Sequence, residues 1–245
     1  METKKKLFYF YLFLSFIVPF IVYYLTTNPN LTFTDNGELA GVCSTLGIAH
    51  PTGYPLFTIL GYLWHLLPLS SNKIFQLNLF AAFWTSVAVS LFFIANVLFL
   101  RLIQIKLSRN RDQSSRNQPS REDNNKIYAI YLISLITSLV FAFSRTIWGE
   151  ATSLEVYSLQ LALFNLLFLC IFLVLRHKYE FKYLALLAFV LGLSFSNHLT
   201  TLLIVPVFLV MYFRRQGEKI EFSRARFKNI LLLSIPFLIG ISFYL

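Results

Sequence analysis

The chain has 245 residues, of which 57% are apolar and 18% aromatic but only 13% charged, about half the charged share of an ordinary soluble domain. That balance excludes a water-soluble core, and it excludes a nucleic-acid module as well. The net charge of +10 sits in short basic clusters between long apolar runs, with no polar domain to display them.

Crossing a hydrocarbon core of about 30 Å takes roughly twenty apolar residues in a helix, and lipid-exposed irregular backbone is not tolerated there. Residues 7–25 follow Lys4, Lys5 and Lys6 and carry no charge. The run is longer than a signal-peptide core and lacks small residues at a cleavage site, so it reads as an uncleaved anchor. Residues 79–100, 127–144 and 156–175 are further charge-free spans, and 230–245 is a last apolar stretch.

Two regions are settled by charge. Residues 54–69 are apolar but short, with Pro55 and Pro68 near their ends; a crossing there would turn the basic loop 101–126 outward, against the positive-inside rule. They are expected as a helix lying in the outer interface. Residues 183–213 lie between two basic loops, which a single crossing would separate. Two short helices are expected instead, with the hairpin Ser194-Phe195-Ser196-Asn197-His198 sunk below the outer surface.

The expected fold is all-α: a polytopic membrane helix bundle of six or seven crossings, with a long first outer loop carrying interfacial helices. It forms one domain over 1–245, with a cytoplasmic N-terminus and a flexible cytoplasmic linker at 101–126. Nineteen of the 21 Lys and Arg residues then lie inside, Lys73 and Arg145 being the exceptions, while Asp35, Glu38, Glu150 and Glu155 lie outside. Cys43, in a loop, and Cys170, in a span, form neither a disulfide framework nor a metal cluster.

Chemistry is expected in the outer loops. Asp35 and Glu38 have the spacing of a helix-capping pair, so Asp35 either caps a helix or presents a reactive carboxylate; a cap also fixes a carboxylate's direction. His50, followed by Pro51, Gly53 and Pro55, lies in a turn that returns the chain to the membrane. Glu150 and Glu155 precede a helix, where the helix dipole alone would account for them. Arg145 is suited either to a phosphate or to a salt bridge with Glu150. Trp148 fits an interfacial belt. Asn197 and His198 occupy the sunken hairpin, where an ionisable group is either functional or a satisfied neutral histidine. No zinc-protease helix, Walker loop or dinucleotide fingerprint is present, and no metal ligand set is assigned.

Asp35-Asn36-Gly37-Glu38, followed by Thr45-Leu46-Gly47-Ile48-Ala49-His50-Pro51-Thr52-Gly53-Tyr54-Pro55-Leu56, resembles the signature of the transmembrane O-mannosyltransferase-like family. Glu155-Val156-Tyr157-Ser158-Leu159, Gly192-Leu193-Ser194 and Asn197-His198 look like its further marks. The resemblance implies a membrane-embedded glycosyltransferase of the C type in a bacterial inner membrane. It would transfer a sugar, with mannose the family's example, from a polyprenyl-phosphate donor to a hydroxyl of a protein or glycan acceptor on the outer face.

By motif match Asp35 is the catalytic acid of the first loop, with Glu38 beside it. His50, Tyr54, Arg145, Glu150, Glu155, Asn197 and His198 are expected to bind substrate. The lipid-linked sugar is substrate, no cofactor is assigned, and a divalent metal is left open. The chain departs from the family in carrying Asn36 where Ser or Gly is usual, and in stopping inside an apolar helix, the ending expected of a fragment. Two other functions fit a polytopic bundle: a transporter or lipid-handling permease, and a non-catalytic assembly subunit.

Overall fold

In lipid a backbone amide has only its own helix to bond with, and each span expected from the sequence is helical. The computed structural model describes residues 2–111, 122–214, 220 and 222–244. Its helices are α1 (Glu2–Thr26), α2 (Asn36–Thr45), α3 (Pro55–His65), α4 (Lys73–Arg111), α5 (Glu122–Ala142), α6 (Arg145–Ala151), α7 (Val156–Arg176), α8 (Phe181–Asn197), α9 (Val205–Arg214) and α10 (Arg224–Ile241). A 3-10 segment, Leu199–Ile204, leads into α9. No strand occurs among the described residues.

Five helices (α1, α4, α5, α7 and α10) are long and apolar enough to cross a membrane, which makes this a multi-pass helical bundle. The shorter α8 and α9 are two short apolar helices where two were expected. The chain breaks at the extended His198, and Phe208 and Tyr212 of α9 pack in one cluster with Leu184 and Leu187 of α8. Hydrogen bonds between elements gather one end of the bundle. Tyr23 Oη donates to the Ala142 carbonyl at 2.7 Å, Asn197 Nδ2 to that of Val156 at 3.3 Å, and Ser196 Oγ to that of Gly240 at 3.0 Å. We refer to this as the loop end, because α2, α3 and α6 lie there; the basic termini of the same helices make up the opposite end.

Two expectations need correction. The linker expected at 101–126 is helical over 101–111 and 122–126, and residues 112–121 lie outside the described residues. Helical bonding continues past the apolar stretch because Arg, Leu, Gln and Lys are good helix formers even in water. Cys43 belongs to α2 instead of a loop and is fully buried, its Sγ filling the space where a Cβ on Gly61 of α3 would stand, 2.4 Å away.

The tightest interhelical contact joins α8 to α10. A Cβ placed on Gly192 would lie 2.2 Å from the Phe237 carbonyl oxygen, and one on Gly240 would lie 2.2 Å from that of Phe189. Small residues let backbones approach where lipid supplies no hydrophobic drive for helices to associate. Gly192→Leu must push the two helices apart. A loss of about 1–3 kcal/mol, typical of overpacking, is expected as a lower melting temperature in detergent, whereas Gly149→Ala, which has nothing within 4 Å, should be close to neutral.

Candidate functional site

The site begins with the pattern of α2. Asn36, Leu39, Ala40 and Cys43 recur at helical spacing and are buried, so Asp35 and Glu38, three apart, share the free face. Asp35 is the N-cap residue, yet its side chain makes no cap hydrogen bond. Its carboxylate is therefore not consumed by capping.

The loop after α2 returns over that face. Leu46 (φ 54°), Gly53 (φ 90°) and Tyr54 (φ 45°) all take left-handed backbone, which is costly for the two residues with a side chain and is typical of positions held by a functional site. His50 is thereby set on the acids. Its backbone N–H donates to Glu38 Oε1 at 2.7 Å, and its Nδ1–H donates to Glu38 Oε2 at 3.0 Å. With Nδ1 protonated, Nε2 accepts the Tyr54 hydroxyl at 2.9 Å, and the same Nε2 stands 3.9 Å from Asp35 Oδ2. The two bonds from His50 hold the Glu38 carboxyl below its usual range. Tyr54 is buried, which raises its phenol; the neighbouring Tyr157 phenol and the Asp35 and Glu38 carboxylates raise it further.

Tyr54 carries the site to the hairpin. Its ring stacks on His198 with centroids 5.4 Å apart and planes at 9°, and Tyr157 leans on the same imidazole at 5.2 Å. His198 Nδ1 accepts the Thr200 N–H at 3.1 Å, so the neutral ring carries its proton on Nε2. Asn197 is placed differently: it is fully buried, donates to Gln160 Oε1 at 2.8 Å, and belongs to a structural network in which Gln160 also bonds Ser194 and Thr201 at 2.9 Å each.

The second loop contributes two carboxyls. Glu155 precedes α7 without capping it, and the half-buried Glu150 has a sheltered Oε2 with no partner among the described residues. Burial pushes Glu155 up to about 7, helped by the charges of Glu150 and Asp35, and burial raises Glu150 too. Both line a cavity of about 500 Å³ with Thr32, Phe33, Thr34 and Ser153. Arg145 opens α6 exposed, and among the described residues no ion pair joins it to Glu150. Trp148 Nε1 donates to Thr26 Oγ1 at 3.0 Å, fixing α6 to the end of α1.

The two loops are joined by residues that charge counting overlooks. Asn36 Nδ2 donates to Asn78 Oδ1 at 2.9 Å, to Ser153 Oγ at 3.1 Å and to the Leu154 carbonyl at 3.3 Å. Asn78 in turn accepts the Leu154 N–H at 2.9 Å and donates to the Asn28 carbonyl at 2.8 Å. Asn78, near the start of α4, and Gln160, in α7, had a sequence signal: each is an uncharged polar residue at the edge of, or within, an apolar span.

Asp35, Glu38 and His50 offer ligand atoms all within 4.8 Å of one another, a donor set suited to a divalent cation. In the arrangement described, the imidazole nitrogens are engaged by Glu38 and Tyr54, so an ion would have to displace those bonds.

Glu155 gives a pH test. A carboxyl raised from 4.5 to about 7 on folding keeps a proton that the unfolded chain has lost, so its contribution to stability declines as pH rises from about 4.5 to about 7 and is level above that. The melting temperature of the wild type relative to Glu155→Gln should decline across that window; a pH-independent difference would show that Glu155 has its ordinary affinity.

Comparison with known proteins gives a consistent set of relatives. The family description "Protein O-mannosyl-transferase TMEM260 N-terminal domain" matches residues 35–221. Protein O-mannosyl-transferase TMEM260 of Mus musculus is 29% identical over 213 residues, covering 81% of this chain and 25% of that protein. Protein O-mannosyl-transferase tmem260 of Dictyostelium discoideum is 28% identical over 149 residues, covering 60% of this chain and 15% of that protein. The chain thus spans about a quarter or less of the curated relatives it matches. No solved structure matches.

Proposed function

Because the chain belongs to the protein O-mannosyl-transferase TMEM260 N-terminal domain family, we propose that its loop end is the sugar-transfer centre of a membrane glycosyltransferase. The donor in this reading is a polyprenyl-phosphate sugar, with mannose as the sugar, and the acceptor is a Ser or Thr hydroxyl of a protein. The single observation that carries the reading is the uncapped Asp35 carboxylate, brought beside His50 and next to a polar cavity by segments far apart in sequence.

The acceptor hydroxyl attacks the sugar's anomeric carbon, the bond from that carbon to the phosphate oxygen breaks, and polyprenyl phosphate leaves with the bonding pair. Asp35 takes the hydroxyl proton as general base, a role usually contributing about 10²- to 10⁴-fold in rate. Glu38 orients His50, which faces Asp35 and fixes Tyr54. Glu155, with its affinity near neutrality, donates a hydrogen bond to a sugar hydroxyl while protonated, and the unpartnered Glu150 oxygen accepts one. Arg145, one turn before Gly149 and with no carboxylate partner among the described residues, steadies the departing phosphate through its planar fork.

A lipid-linked donor would present its phosphate at the interface, and α2 and α3, both too short to cross a membrane, would lie there in this reading. A second, mostly apolar cavity of about 410 Å³, lined by Ile48, Gly53, Thr58, Ile59 and Phe243, flanks Tyr54 and suits the first prenyl units. The basic end would face the cytoplasm and the loop end the outer side.

Transfer of labelled mannose from a lipid-linked donor to an acceptor peptide, by the chain in nanodiscs, tests the proposal. Asp35→Asn should lower the rate by about 10²- to 10⁴-fold with the fold intact. Undiminished transfer by that variant would remove the base.

A further inference from the structure

At the end of the bundle opposite the acids, a cavity of about 310 Å³ opens between α1, α4 and α5, lined by Lys4, Lys5, Phe8, Tyr9, Arg101 and Tyr131. Counting from Lys4 to Thr26, α1 separates it from the loop end by about 33 Å at the helical rise of 1.5 Å per residue. It shares no residue with the proposed transfer centre. Among the described residues three cations line it and no acid does. The nearest acid in sequence, Glu2, is engaged with Lys6 at 2.8 Å.

Arg101 is held for a purpose that the protein's own contacts do not complete. Its Nη2 donates to the Tyr131 hydroxyl, and its guanidinium lies over the Tyr131 ring, 5.4 Å from the centroid. Those contacts fix the plane of the fork. Its Nε, however, is buried with no hydrogen-bond partner among the described residues. A donor of this kind costs free energy unless an acceptor arrives, and a phosphate oxygen suits the guanidinium edge. The apolar floor is supplied by Phe8, packed on Phe93 and Tyr131 at 5.7 and 5.6 Å, while Tyr9 is 64% exposed.

We propose that this cavity binds the phosphate headgroup of an anionic phospholipid, with Arg101 as the directional donor, Lys4 and Lys5 closing over the phosphate, and Tyr9 against the acyl chains. Cations between helix ends at a membrane surface have the chemistry of such sites. The lipid is favoured over free phosphate because the cavity lies where spanning helices leave the apolar layer and because half its lining is aromatic.

Lipid retention by the purified chain, measured by native mass spectrometry from mixed micelles of phosphatidylglycerol and phosphatidylcholine, tests this. One phosphatidylglycerol should be retained at least about fivefold more strongly than phosphatidylcholine, the ratio given by roughly 1 kcal/mol, the contribution of a single cation at a membrane surface. Arg101→Gln and the pair Lys4→Gln with Lys5→Gln should each abolish that preference; the second variant changes only the helix terminus, so a folding defect at Arg101 does not decide the result. Arg101→Lys, which keeps charge but lacks Nε, should weaken retention. Removing two cations elsewhere at the same end, Arg176→Gln with Lys178→Gln, should leave it unchanged. Equal loss in that control, or full retention by Arg101→Gln, would overturn the site, and displacement of the lipid by equimolar inorganic phosphate would overturn its assignment to a lipid.

Discussion

Two buried carboxamides hold the loop end together. Asn36 starts α2 and Asn78 lies near the start of α4, and the 2.9 Å bond between them is the hub from which the first loop reaches Ser153 and Leu154 of the second. Both residues are essentially inaccessible, so each amide must be satisfied within the protein or incur a penalty of about 1–3 kcal/mol. All four amide groups of Asn36 and Asn78 are used, Asn36 Oδ1 accepting the Thr32 N–H at 3.1 Å, which makes the arrangement specific as well as favourable. Ser or Gly at this position would lack the reach for this bond, so the carboxamide of Asn36 is what makes the joint.

Electrostatics at the site follow from that joint. Asp35 comes from the first loop and Glu155 from the second; burial is the main cause that raises Glu155 to about 7, the Glu150 charge adds to it, and the clamp between the loops brings the Asp35 charge close enough to add further. Glu38 shows the reverse effect, with two bonds from His50 favouring its ionised form. Carboxyls within one cluster are thus poised differently, one group ionised well below neutrality and one titrating near it. Acid–base division of labour needs such a spread.

Much of the architecture could be read from charge and length alone. Basic residues at both ends of 183–213 lead one to expect two short helices there, and α8 does end at Asn197 with His198 extended. Asp35, Glu38, His50 and Tyr54 meet as the turn residues between α2 and α3 lead one to expect, and Glu155 joins them from the second loop. Less legible were contacts made by neutral amides. The resemblance implies that Asn197 binds substrate together with His198, whereas its side chain turns into the bundle toward Gln160; the direction of a residue at a helix end depends on backbone angles that sequence does not supply. The helical course of 101–111 was hidden for another reason, since polarity marks departure from lipid and not departure from the helix.

The Asn36–Asn78 bond is the element that ties the acids of the two loops together. The decisive measurement is the titration midpoint of the Glu155 carboxyl, isolated as an infrared difference between a protein and its Glu155→Gln counterpart, in the wild type and in an Asn78→Ala background. Separation of the loops should move the midpoint from about 7 toward the ordinary 4.5. A midpoint that stays near 7 in folded Asn78→Ala protein would show that the acids are assembled by something else.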